Sequence, residues 1–201
     1  DFLWEHLLRP AYTHMMALVD SPSFLAVLTM LRSRPCLWID PERGFLSPEH
    51  VSFGFSTDTD SPYLSGVVPA LEPFEPLLRA LGVREGFEPR DYVHANACFV
   101  RDAADASLSP EKVRACVAML EAAASATASS PDGAETLSSF NLFLPDTAGI
   151  LRPATELTFD DAPWMSSTLR GRSDGGGVRF VHESVSTSLA EGMGARSLRY
   201  L

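Results

Sequence analysis

The stretch Leu142–Trp164, LFLPDTAGILRPATELTFDDAPW, decides how the chain is read, because an earlier stretch says nearly the same thing. The earlier copy is Leu37–Leu64, LWIDPERGFLSPEHVSFGFSTDTDSPYL. Aligned on Gly44 and Gly149, the pairs run Leu37/Leu142, Trp38/Phe143, Ile39/Leu144, Phe45/Ile150, Leu46/Leu151 and Pro48/Pro153. One extra residue then brings Val51/Leu157 and Phe53/Phe159 together. Each copy reads as one device: a short apolar strand, a polar turn closing on glycine, a second apolar run ending at proline, and an apolar-polar-Phe step. Pro62-Tyr63 and Pro163-Trp164 place a proline and a large ring downstream of each.

The correspondence extends further. Leu77–Arg84, LLRALGVR, is echoed by Leu189–Arg196, LAEGMGAR. Two degenerate units of about a hundred residues each are therefore expected. The fold class this predicts is α+β, two β-hairpin-plus-helix units packed together behind an N-terminal helical pair. The expected segments are 1–34 (helical), 35–124 (first unit), 125–139 (linker or loop) and 140–201 (second unit).

Outside the hairpins, helical spacing dominates. Apolar residues at 3, 7, 8, 12, 15, 16 and 19 fall on one helix face, which Pro10 interrupts and should bend. Ser21-Pro22 opens a second, apolar helix over Phe24–Leu31. A helix from Pro69 buries Leu71, Phe74, Leu77, Leu78 and Leu81 and stops at Gly82. Glu88–Asp91 opens another, carrying Tyr92, Ala95 and Phe99 inward. Ser109-Pro110-Glu111 opens a third, with an oxygen cap, a proline in the first turn and a carboxylate at the positive end of the dipole. Ser125–Ser139, rich in Ala, Ser and Thr, breaks the pattern. A strand over Val178–Val181 and a closing helix from His182 or Ser184 to Gly194 complete the chain.

Composition narrows the function. The 45% hydrophobic and 21% charged content is that of a globular chain, and the net charge of −10 argues against nucleic acid or an anionic membrane as partner. Lys112 is the only lysine. Cys36, Cys98 and Cys116 lack CxxC spacing and fit reduced, buried thiols of a cytoplasmic protein. No apolar run reaches the roughly eighteen residues of a membrane span. The opening on Asp1, already helical in pattern, suggests a piece of a longer polypeptide.

The chain holds no GxSxG elbow, GxxxxGKS phosphate loop or GxGxxG fingerprint, and Asp174–Gly177 is a tri-glycine loop without a lysine. His6 and His14 lie two helical turns apart without a third ligand. Asp58 and Asp60 alternate as in calcium loops but lack that motif's glycine and distal glutamate. Asp160-Asp161 is the most suggestive polar cluster, and adjacent carboxylates before a tryptophan ordinarily cap the next turn. No catalytic residue, cofactor or metal ligand is assigned. Trp38, Tyr63, Arg152 and Trp164 are the candidate interaction residues.

Phe143–Leu157 (FLPDTAGILRPATEL), Asp161–Trp164 (DAPW), Val181-His182 and Met193–Arg199 (MGARSLR) together resemble the end of a sacsin repeat. That family's pattern is LPDxxGxLRPAxELxxNDAPW followed by VHPxISxxxAxxLGVRSLR. Phe45–Val51, Pro62–Leu64 and Leu81–Glu85 are similar to its earlier part, so the resemblance covers roughly residues 35–201. Asp160 stands where the family has asparagine, Glu183 where it has proline, and Met193 and Ala195 where it has leucine and valine.

The resemblance implies a giant, multi-repeat, cytoplasmic chaperone-like protein whose repeats open with an ATPase-like domain related to the ninety-kilodalton heat-shock chaperone. The ELxxNADDA helix and DxGxG loop of that nucleotide site do not occur here. The chain therefore corresponds to the portion downstream, a non-catalytic structural and interaction segment. Its implied partners are other repeats of the same chain, client proteins and the heat-shock chaperone machinery. The alternative is an ATPase subdomain acting in trans, with Arg152 or Arg170 reaching a phosphate. A third class, a ligand-binding module, would show a deep pocket with convergent polar groups.

Overall fold

The computed structural model describes residues 2–55, 61–128, 137–165 and 178–200 and shows an α+β chain. It divides into two compact units, Asp1–Phe87 and Glu88–Leu201. Each runs in the same order: helices, a hairpin, a 3-10 turn, then a short middle strand whose two parallel partners are separated by a helix.

In unit 1 the chain is helical from Phe2 through α1 (Arg9–Leu18), passing through a π-helical turn at Trp4–Leu8. Pro10 explains that turn. It has no N–H to offer the His6 carbonyl, and its ring crowds the preceding turn. The ladder widens instead, with the Arg9 N–H donating to the Trp4 carbonyl. After α2 (Leu25–Leu31) come β1 (Leu37–Asp40) and β2 (Gly44–Leu46), antiparallel, with Leu37 opposite Leu46 and Trp38 opposite Phe45. A 3-10 turn at Pro48–His50 leads to β3 (Val51–Ser52), which pairs in parallel with β4 (Ser65–Gly66). The helix expected from Pro69 begins later, because Pro73 and Pro76 can stand only in first turns. A 3-10 turn at Glu72–Phe74 runs into α3 (Glu75–Leu81). Leu28, Leu37, Val51, Leu71, Leu77 and Leu78 lie at the centre of this unit's core.

Unit 2 contains α4 (Pro89–Ala103) and α5 (Pro110–Ala128), which pack on each other. The segmentation read from the sequence put these helices with the first hairpin, and here they stand with the second. Residues 125–128, expected to begin a linker, continue α5. Residues 129–136 lie outside those described, and Leu137–Ser139 form a 3-10 turn with Leu137 buried. The second hairpin is β5 (Phe143–Pro145) with β6 (Leu151–Pro153), with Leu144 opposite Arg152. A 3-10 turn at Ala154–Glu156 leads to β7 (Thr158–Phe159), parallel to β8 (Arg196–Ser197), with α6 (Thr187–Gly192) before β8. The strand expected over Val178–Val181 is reduced to two bridges, Phe180 to Thr158 and Val181 to Asp146.

The two units correspond around the hairpin glycines and the middle strand, although the hairpin registers differ: Leu37 faces Leu46, whereas Leu151, aligned with Leu46, faces Pro145. Gly44 and Gly149 both turn a hairpin with φ of +69° and +76°, a region that only glycine enters without strain. The middle strand is flanked the same way on both sides: Ser52 bridges Gly66 and Arg84, and Thr158 bridges Phe180 and Arg196. The Val67 N–H donates to the Ser52 carbonyl as the Val181 N–H does to Thr158, at 3.0 Å each.

Both crossover helices end alike. The Gly82 and Val83 N–H groups donate to Arg79 and Leu78, and those of Gly194 and Ala195 to Glu191 and Ala190. This is the left-handed glycine cap that satisfies the last carbonyls. It aims Arg84 and Arg196 back at the middle strand.

A side chain from the helices grips the first hairpin strand in each unit. In unit 1 the Tyr12 hydroxyl donates to the Cys36 carbonyl at 2.7 Å and accepts the Trp38 N–H at 3.0 Å. In unit 2 Asn96 donates to the Phe143 carbonyl at 3.0 Å and accepts the Phe143 N–H at 2.9 Å. Tyr12→Phe should therefore lower the stability of unit 1 by about 2 kcal/mol, since it strands a backbone N–H and a carbonyl. Burial, opposed by the smaller effect of the Trp38 N–H, pushes the Tyr12 phenol from 10.0 up to about 12. The fold favours the neutral phenol, so this contribution is complete below the unfolded value and is lost as pH rises through about 12. Urea titrations followed by tryptophan fluorescence across the alkaline range should show that decline in the parent and not in Tyr12→Phe.

Candidate functional site

Of the candidate interaction residues, Trp38 and Tyr63 lie in unit 1 and Arg152 and Trp164 in unit 2. Trp38 is half-buried on β1, its ring edge-on to Phe45 at 5.1 Å, and it packs against the unit 1 core. Tyr63 is half-buried in the loop before β4, and its N–H donates to Ser61 Oγ at 3.4 Å. Arg152, on β6, donates from Nε to Asp146 Oδ2 at 3.1 Å. The other oxygen of Asp146 accepts the Ala148 and Ile150 N–H groups, so the pair locks the turn around Gly149. The first hairpin uses the same chemistry: Asp40 Oδ1 accepts the Glu42 and Arg43 N–H groups, and the Arg43 guanidinium lies 3.3 Å from Asp40 Oδ2. Trp164 is 68% exposed, with the Arg199 guanidinium 5.8 Å from its ring centroid.

Asp160 and Asp161 part company. Asp161, expected to cap the next turn, instead holds the C-terminal strand: Oδ2 accepts Ser197 Oγ at 2.7 Å and Oδ1 the Arg199 N–H at 3.3 Å. Burial alone would raise its pKa. The hydrogen bonds from Ser197 and the Arg199 N–H, with the Arg199 guanidinium nearby, outweigh it and hold the carboxyl below its ordinary value. A depressed folded pKa stabilises above the unfolded value and stops doing so as pH falls through the folded one. Acid titration of the tethered β8 segment should show that loss, read as faster amide exchange at Arg199, and Asp161→Asn should show fast exchange already at neutral pH.

Asp160 faces elsewhere. It lines a cleft of about 500 Å3 in unit 2 with Thr147, Phe159, Val181, His182, Glu183, Val185 and Thr187. Three segments build it. Thr147 comes from the hairpin turn, its N–H held by the Phe180 carbonyl at 3.1 Å. Phe159 and Asp160 lie at the end of β7. The His182 N–H donates to the Pro145 carbonyl at 2.9 Å and the Val185 N–H to the His182 carbonyl at 3.0 Å, so Val181–Val185 turn over the cleft into α6.

His182 Nδ1 accepts the Ser184 N–H at 3.1 Å and lies 2.8 Å from Ser184 Oγ. The neutral imidazole therefore carries its proton on Nε2. The sequence named Asp160 and His182 but had no means of placing them in one cavity. Their neighbourhood depends on the parallel bridge between Thr158 and Phe180.

Among the described residues no group of three His, Cys, Asp or Glu side chains converges as a metal-ligand set, and no helix is long and apolar enough to cross a membrane. Cys36 is half-buried and Cys98 and Cys116 are buried, all as free thiols, and burial pushes Cys36 to about 11 and Cys116 to about 12. Such thiols are poor nucleophiles at neutral pH. Residues 56–60 and 166–177, with Asp58, Asp60, Arg170 and the tri-glycine, lie outside the described residues. No family model, no curated protein and no solved structure matches the chain.

Proposed function

We propose that the chain is a non-catalytic structural and interaction segment of a large, cytoplasmic, sacsin-like chaperone. The observation that carries this reading is that the two units keep the same bonding around the middle strand while exchanging functional groups. Tyr12 and Asn96 share no chemistry beyond hydrogen bonding, yet each grips the first strand of its hairpin. Ser52 and Thr158, Gly54 and Asp160, and Val68 and His182 occupy equivalent places on the same backbone. The middle-strand scaffold recurs in both units while the side chains on it change.

The exposed apolar residues Phe2, Leu7, Leu25 and Met30 on the unit 1 helices suit contacts with other repeats of the same chain, client proteins or heat-shock chaperones. The ordered sequence blocks support the sacsin-like assignment, and Arg152 is committed to Asp146. Calorimetric titration of the whole chain with magnesium-ATP should give no saturable heat. Saturable binding that Arg152→Ala abolishes would replace this reading with an ATPase subdomain.

A further inference from the structure

The cleft is lined where unit 2 departs in side chains from a backbone it shares with unit 1. Matching Val67 to Val181 and Phe53 to Phe159 shows what unit 1 carries in its place. Gly54 stands for Asp160, Val68 for His182 and Pro69 for Glu183. None of the unit 1 residues has a polar side chain. At these places the polar side chains belong to unit 2 alone, where His182 also holds the turn by accepting the Ser184 N–H.

The lining has a definite character. Phe159, Val181 and Val185 form a buried apolar floor. Asp160 and the exposed Glu183 supply two carboxylates, Thr147 and Thr187 hydroxyls, and among the described residues no lysine or arginine lines the cleft. Such a surface fits a side chain with a methylene stem and a cationic head, the stem on the floor and the head between the carboxylates. With Nδ1 held by Ser184, the imidazole of His182 offers an N–H at Nε2. That is a donor, useless to a cation and suited to a carbonyl. A cation beside a carbonyl is what a lysine or arginine within a peptide presents, and about 500 Å3 holds such a side chain with its adjoining backbone.

We infer that this cleft docks a lysine or arginine side chain of an extended, basic peptide segment. The inference rests on the interaction-segment reading and names the partner class for it. The net charge of −10 steers basic segments toward the chain, and the cleft selects where one settles.

The test titrates the whole chain with short fluorescein-labelled peptides of alternating glycine and arginine, glycine and lysine, or glycine and glutamate, followed by anisotropy. The two basic peptides should bind saturably and the acidic one should not. Asp160→Asn should weaken binding about tenfold and Glu183→Gln, screened by solvent, about threefold. Glu183 is exposed, so its variant tests the site with the fold intact. Glu72→Gln makes the same charge change on the exposed surface of unit 1 and should leave the affinity unchanged.

Three results would overturn the inference: no binding of the basic peptides, cleft variants that bind as well as the parent, or a Glu72→Gln loss equal to theirs. Free agmatine binding as tightly as the arginine peptide would overturn the peptide assignment. None of these touches the non-catalytic reading, which stands or falls on the ATP titration.

Discussion

Gly54→Ala should destabilise unit 1 by about 3 kcal/mol, more than a typical surface substitution by several-fold. Gly54 follows β3, and its N–H donates to the Glu85 carbonyl at 2.7 Å, beside the Phe53 N–H to Arg84 bond at 3.0 Å. These bonds hold the segment after α3 to the middle strand. A Cβ at Gly54 would stand 2.5 Å from the Glu85 carbonyl oxygen. That atom is backbone, so no rotamer relieves the clash and the two segments must separate. Gly86→Ala is the control, since a Cβ there meets nothing within 4 Å, and its cost should stay within about 0.5 kcal/mol. Urea unfolding read by Trp4 and Trp38 in unit 1 and by Trp164 in unit 2 separates the effects. An unchanged unit 1 midpoint for Gly54→Ala would refute the argument.

Asn96→Ala should cost unit 2 a comparable amount, about 3 kcal/mol, for a different reason. The side chain is 1% exposed and satisfies both polar groups of Phe143, the first residue of β5. Truncation leaves that partly buried N–H and carbonyl without their partner, each costing of order 1–3 kcal/mol. Asn96→Asp keeps an acceptor for the N–H, but sets a carboxylate against the carbonyl and should do no better. Hydrogen exchange at the Phe143 amide is the direct readout. Exchange as slow as in the parent would show that the grip on the hairpin contributes little.

The hairpins were legible because their information is local. Three apolar letters, a polar turn and a glycine suffice to specify Leu37–Leu46 and Phe143–Pro153, and Gly44 and Gly149 both have the positive φ that such a turn demands. Helix ends at Gly82 and Gly194 were legible for the same reason. The parallel pairs were not, since strands of two residues carry no alternation and their partners lie well separated along the chain.

Long-range polar contacts were equally hidden. Asp161 finds Ser197 and Arg199 at separations of 36 and 38 residues, and from neighbouring letters alone it reads as a cap. Asn96, in an amphipathic helix, reads as one more polar position until the strand it holds is known. That strand also decides which hairpin α4 and α5 accompany. The cleft follows the same rule, since its residues come from three segments joined by the bridges around Thr158 and Asp146.

The two grips differ in how much chain they enclose. Tyr12 reaches Cys36 across 24 residues, whereas Asn96 reaches Phe143 across 47. Doubling an enclosed segment adds only ~0.6 kcal/mol of closure entropy, a small equilibrium penalty. The consequence is greater for the order of assembly during synthesis. Unit 1 has its grip within reach as soon as the first hairpin leaves the ribosome, while α4 and α5 must wait for a distant strand with their inner faces uncovered. The interval between α5 and β5 is the period in which nascent unit 2 most needs protection from aggregation.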